Sequence, residues 1–180
     1  MQSLMRYGAL DVYYPPSGGA RAALVVASDR AFATVVDERV AWLERVAPYE
    51  PGAFFRRELP AMRAVLDGVP DLALLIVDGY VDLDPDGRPG LGARLHDDVG
   101  VPVVGVAKTA FRSATHAAAV TRGDARKPLY VTAAGLPVER AAALVADMAG
   151  RYRLPDALRR VDRLSRGDQP VGADAARRRH

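Results

Sequence analysis

Short apolar runs broken by turn residues fill the first quarter of the chain, and segments with a spacing near 3.6 alternate with further apolar runs after it. Tyr7 to Tyr14 reads as a strand, and the PPSGG turn returns it into Ala20 to Ser28, apolar at ALVVA, so the two form a hairpin. Thr34 to Val46 carries the β-branched residues Val35, Val36, Val40 and Val46 and continues as a third strand, although its later half, VAWLERV, also fits a helix. Ala47 to Gly52 sets two prolines and a glycine around Tyr49 and makes a rigid loop. From Arg57 the spacing of Leu59, Met62, Val65 and Leu66 predicts a helix, with Pro60 in its first turn and Glu58 at its start. Leu72 to Val77 is a buried strand, Asp82 to Gly90 a loop, and Leu91 to Asp98 a short helix. VPVVGVAK follows as another apolar strand, PLYVT at Pro128 to Thr132 as the last one, and Pro137 to Arg151 as a helix with Leu144, Val145 and Met148 as its stripe. The order β-β-β-α-β-α-β-β-α describes an α/β fold with a mixed sheet: an antiparallel amino-terminal meander, then parallel strands with crossover helices between them.

Two of these strands deliver a charge at one edge, LLIVDG at Asp78 and VVGVAK at Lys108. A carboxylate at the carboxyl end of a parallel strand is where open α/β sheets hold metals or substrates. Asp11 within GALDVYY and Glu58 within FFRRELP lie in comparable apolar settings. Burying three acids without partners is costly, so the economical reading is a shared cation. Cysteine is absent, which excludes disulfides, thiolate catalysis and Cys-based metal centres, and His96, His116 and His180 have no metal-ligand spacing. The cation is therefore a hard, oxygen-ligated one, Mg²⁺ with Mn²⁺ as the alternative.

At 180 residues, 49% hydrophobic and 26% charged, the chain suits one globular domain. No run approaches the roughly 20 apolar residues that span a bilayer, and no leader pattern opens the sequence, so a cytoplasmic, membrane-free, monomeric protein is the expectation. The net charge of +3 comes largely from arginine, which suits phosphate and permits nucleic acid as a partner. Coding bias produces the same composition, so the charge alone carries little weight. The Gly/Ala/Asp/Arg-rich stretch from Gly167 to His180 has no apolar period and is expected to be a disordered tail after a domain spanning 1–166.

ALDVYY, PYEPG, FRRELP, LIVDG, VPVVGVAK, KPLYVT and YRLPDALRRVD occur in an order and spacing that resembles endonuclease V, the deoxyinosine-directed nuclease family, from about Leu10 to Arg166. The usual first helix of the family would precede Met1. The resemblance implies a ribonuclease H-like fold and Mg²⁺ held by Asp11, Glu58 and Asp78. A metal so placed polarises the phosphate, lowers the pKa of the attacking water and stabilises the leaving oxygen. Lys108 falls on the family's GVAK lysine, near the scissile phosphate. Tyr49 falls in the counterpart of the PYIP wedge that separates strands at a lesion, an aromatic suited to stacking on an unpaired base. Gly79 and Gly105 fall in the base pocket, where close backbone approach matters. The resemblance implies cleavage of DNA on the 3′ side of deoxyinosine, with cleavage of inosine-containing RNA or another structured nucleic acid, or a catalytically silent nucleic-acid-binding homologue, as alternatives.

Three family histidines are missing. Their positions carry Asp84, in a DPDG loop one residue longer than usual, Gly135 after the last strand, where the family histidine lies near the metal, and Arg94 in the helix after the loop. His96 is a poor substitute for the last, since two residues turn a helix by about 200°. Asp84 offers a fourth acid near the site, although a solvated turn aspartate is the favoured reading. Arg153 and Arg159 are able to reach phosphates, but the family's version of the segment packs the last helix, and they are not assigned to the site.

Overall fold

The computed structural model describes residues 4–51 and 54–170, without the side chains of 54 and 55. The strands are β1 (Arg6–Tyr13), β2 (Ala20–Ala27), β3 (Val35–Leu43), β4 (Leu72–Asp78), β5 (Val103–Ala107), β6 (Ala118–Val120) and β7 (Leu129–Ala134). The helices are α1 (Phe54–Leu66), α2 (Leu91–Val99), α3 (Val138–Asp147) and α4 (Asp156–Arg166). All strands join one sheet in the order β3-β2-β1-β4-β5-β7-β6. The parallel part is confined to β1, β4 and β5; the meander at one side and β7 with β6 at the other are antiparallel.

Strand alternation sorts the apolar residues into two layers. Tyr7, Ala9, Leu74, Ile76, Val104 and Val106 pack with α3 and α4 on one face. Leu10, Leu24, Leu75, Val77 and Val103 pack with Leu59, Met62 and Val65 of α1 and with Leu95 of α2 on the other. The mixed α/β sheet flanked by helices is thus the expected one, and Thr34 to Val46 resolves in favour of a strand.

The differences from expectation are local. Helix α1 begins at Phe54, so Pro60 lies inside it and Glu58 sits more than a turn from its start. A proline there removes one ladder bond, and burial of Leu59, Ala61, Met62 and Val65 against the sheet outweighs that loss. Strand β6 is three residues long, too short for its period to register in sequence, and exists because Val120 pairs with Leu129. Helix α4, at RLPDALRRVDRL, is an element beyond the expected ones; its Leu158, Val161 and Leu164 stripe is buried against β1 and β2. At the start of the expected tail, Arg160 holds the Asp168 carboxylate at 3.2 Å and the Gln169 carbonyl at 2.9 Å. The remainder, 171–180, lies outside the described residues.

Candidate active site

The register of β1 and β4 assembles the site. Leu10 pairs with Val77, so the residues that follow, Asp11 and Asp78, stand side by side where the parallel pairing ends. Both continue the odd and even positions that face α3 and α4, and Lys108, next after β5, continues Val104 and Val106 on the same face. Glu58 comes from α1 on the opposite face and reaches round the strand ends, where it lines a small cleft with Asp11, Asp78, Met62 and Leu91. Asp11 and Asp78 line a second cleft with Lys108, Leu154, Leu158 and Asp162.

Crowding shows in the ionisation. Asp11 is raised from 3.8 to about 6, chiefly by burial, against the lowering effect of the Ser165 hydroxyl, with Asp78 and Asp162 adding repulsion. Glu58 is raised from 4.5 to about 7, again chiefly by burial, with Asp11 and Asp78 adding to it and Arg57 opposing. Ser165 Oγ donates to Asp11 Oδ2 at 3.0 Å, and Lys108 Nζ donates to Asp78 Oδ2 at 3.1 Å. Among the described residues no three acids or histidines form a ready-made metal cage. The donors nonetheless fit a hard divalent ion: they are all carboxylate oxygens, and their mutual repulsion is what a cation relieves. In the present rotamers Asp78 is turned to Lys108 and Asp11 to Ser165.

The turn after Asp78 is built from small contacts. Gly79 adopts φ +122°, a conformation that disfavours a side chain, and a Cβ there would meet open space. Gly79 N–H donates to Val106 O at 2.9 Å, and Val81 N–H to Thr132 Oγ1 at 2.8 Å. Gly105 lies beneath this turn: a Cβ on it would stand 2.5 Å from Gly79 O and 2.9 Å from Val81 N. Its lack of a side chain therefore sets where the Gly79 backbone sits. Tyr80 ties the turn to the loop after β5, donating to Thr109 O at 2.8 Å and accepting from Phe111 N–H at 2.9 Å.

Tyr49 is exposed, in the loop between β3 and the helix that bears Glu58. Asp84 is occupied in its own turn, accepting from Asp86 N–H and Arg88 N–H at 3.1 Å each. The fourth acid beside the cluster is Asp162, which sequence reasoning missed. Its signal is its place one helical turn from Leu158 of the apolar stripe of α4. Position 135 is corrected: Ala134 pairs with Val103 at the start of β5, so Gly135 lies at the other end of the sheet, against the His96 ring. No side chain there reaches the acids, because β7 runs antiparallel to β5. Arg94 lies one turn along α2 from Leu91, which lines the acid cleft.

Two arginines brace the site. Arg153 donates to the carbonyls of Lys108 (2.5 Å), Pro128 (2.8 Å) and Lys127 (3.0 Å), fixing the backbone that presents the lysine. Arg122, 6% exposed, donates to the carbonyls of Met148, Gly150, Tyr152 and Arg153.

A mixed sheet of this order, with acids at the ends of adjacent central strands, defines a ribonuclease H-like protein of the nuclease class. Residues 2–163 match the family Endonuclease V, and the chain belongs to that family. The curated Endonuclease V of Streptomyces avermitilis is 31% identical over 89% of this chain and 79% of its own. The crystal structure of an Endonuclease V from Streptomyces avermitilis is similar at 30% identity and TM-score 0.75, over 89% of this chain and 79% of that one. Ciona intestinalis Endonuclease V (D234N), solved in complex with a 23mer DNA containing an inosine followed by a ribo-adenosine, shares the fold at 20% identity and TM-score 0.76, over 89% and 83%.

Proposed function

We propose that this chain is a metal-dependent endonuclease that hydrolyses the phosphodiester on the 3′ side of deoxyinosine in DNA, acting as a monomer in the cytoplasm. The observation that carries this reading is the convergence of Asp11, Glu58 and Asp78 with Lys108 at one edge of the sheet, in a chain of this family. Asp11, Glu58 and Asp78 would hold Mg²⁺ or Mn²⁺, which supplies Lewis acidity toward the phosphate and a lowered pKa for the attacking water. Ser165 orients Asp11. Lys108, released from Asp78, offsets negative charge that grows on the phosphate in the transition state. The Gly79 backbone, with no side chain over it, offers room for a flipped base, and Gly105 beneath it keeps that backbone low. Tyr49, exposed in the loop ahead of α1, would fill the gap left in the stack.

The test is incubation with Mg²⁺ or Mn²⁺ and a labelled duplex bearing one deoxyinosine, beside an undamaged duplex and the Asp78→Ala variant. Cleavage one nucleotide beyond the lesion, lost in the variant while binding persists, is expected. Absence of cleavage by folded protein with either metal removes the reading. The DNA bound by the Ciona relative, with an inosine followed by a ribo-adenosine, makes inosine-containing RNA the second substrate to test. A requirement for a 2′-hydroxyl at the cleavage position would select it.

A further inference from the structure

Beyond the acid cluster lies an open cleft of about 690 Å³ lined by Arg151, Tyr152, Arg153 and Arg159, with Asp124 its one acid. Tyr152 is 46% exposed, and two guanidinium groups lie against its ring, Arg159 at 4.5 Å and Arg151 at 4.9 Å from the centroid. Arg151 also donates to the Tyr152 hydroxyl at 2.8 Å. Neither Arg151 nor Arg159 has a carboxylate partner among the described residues, whereas Arg160, Arg163 and Arg166 of the same helix all do. Two guanidinium groups resting on one exposed aromatic ring, neither neutralised by a carboxylate among the described residues, suit anionic ligands.

The backbone of the cleft is braced from beneath, and the cleft adjoins the acids. Buried Arg122 grips the carbonyls of Met148, Gly150, Tyr152 and Arg153 from beneath, so the backbone that presents Arg151 and Tyr152 is fixed from inside the protein. Leu154 lines both this cleft and the cleft of Asp11, Asp78 and Lys108. On α4, Arg159 precedes Asp162 by three residues, an axial offset of about 4.5 Å. Through Leu154 the two clefts are neighbours, so a strand whose phosphate meets the acids has the arginines within reach of its adjoining backbone.

We propose that the Arg151–Tyr152–Arg159 cleft docks the sugar-phosphate backbone of the nucleic acid beside the cleavage position. The arginines take phosphates, and Tyr152 holds both side chains in place, so little rotamer freedom remains to be lost on binding. This inference rests on the nucleic-acid reading above.

The test measures binding of a fluorescent duplex bearing one deoxyinosine to the full chain in chelator, as a function of salt, for wild type, the double variant Arg151→Ala/Arg159→Ala, and Arg151→Lys/Arg159→Lys. Loss of two phosphate contacts lowers the slope of log affinity against log salt by about two. The lysine variant keeps that slope, because the charges remain, while a merely structural role for the arginines would not be rescued in this way. Thermal melting establishes that both variants are folded. Wild type that binds with a slope the alanine variant shares overturns the docking surface and leaves the nuclease reading standing. Wild type that binds neither this duplex nor its inosine-RNA counterpart overturns both.

Discussion

Asp11→Asn tests whether the acid cluster is as crowded as its geometry implies. In the metal-free protein the Asp11 carboxyl is raised from 3.8 to about 6. A group whose folded pKa lies above its unfolded value is held more tightly as the acid by the folded state, so stability falls as pH rises through the window from about 4 to about 6. At about 1.4 kcal/mol per pH unit, the penalty of the ionised carboxylate reaches about 3 kcal/mol above that window. Asparagine keeps the size and an oxygen able to accept from Ser165 Oγ, and it removes the charge. The variant should match wild type near pH 4 and exceed it by about 3 kcal/mol at pH 8, although it should be inactive. Urea unfolding followed by circular dichroism in chelator measures both. Added Mg²⁺ at pH 8 should raise the midpoint of wild type and leave that of the variant in place. A stability difference that does not change with pH would show that Asp11 is not held in a desolvated, like-charged site, and the argument for a shared cation would lose its electrostatic basis.

Gly105→Ala places a Cβ against the backbone of Gly79 and Val81; a loss of about 1–3 kcal/mol in chemical denaturation is expected, together with weaker discrimination of deoxyinosine from undamaged duplex. Lys108→Met should lower kcat by about 10²–10³ with little change in duplex affinity, measured by single-turnover cleavage, and it should leave stability nearly unchanged, because its pair with Asp78 is exposed. Arg122→Met strips four carbonyls of their donor and should cost about 3–5 kcal/mol; thermal melting within about 1 kcal/mol of wild type would show that the buried guanidinium is not what ties the 148–153 segment.

Much of this was legible in sequence for a common reason. β1, β2, β4 and β5 are short apolar runs bounded by turn residues, and Asp11 and Glu58 are desolvated as their apolar settings imply, whereas Asp78, at the end of its strand, is exposed and turned to Lys108. Asp162 beside Asp11 and Asp78 is not legible in the same way, because it lies among the charged residues of an arginine-rich helix whose apolar stripe shows its face only once packed on β1 and β2. The placement of position 135 near the metal, carried over from the family resemblance, does not hold in this fold. The antiparallel pairing of β5 with β7 carries that residue to the far end of the sheet.

The amino-acid sequence by itself determined the types of β1 to β5, β7 and α1 to α3 and marked Asp11, Glu58 and Asp78 as candidates, because periodicity and an acid's apolar setting are properties of neighbours along the chain. Which acids meet was decided only by the tertiary structure. The Leu10–Val77 register puts Asp11 beside Asp78, α1 swings Glu58 round the strand ends, and α4 returns from the chain's far end to set Ser165 on Asp11. The same return lays Arg159 over Tyr152 and opens the basic cleft next to the acids. Such contacts join residues up to 154 positions apart, and no local pattern encodes them, since the free energy that fixes them is the burial of whole faces against a shared sheet.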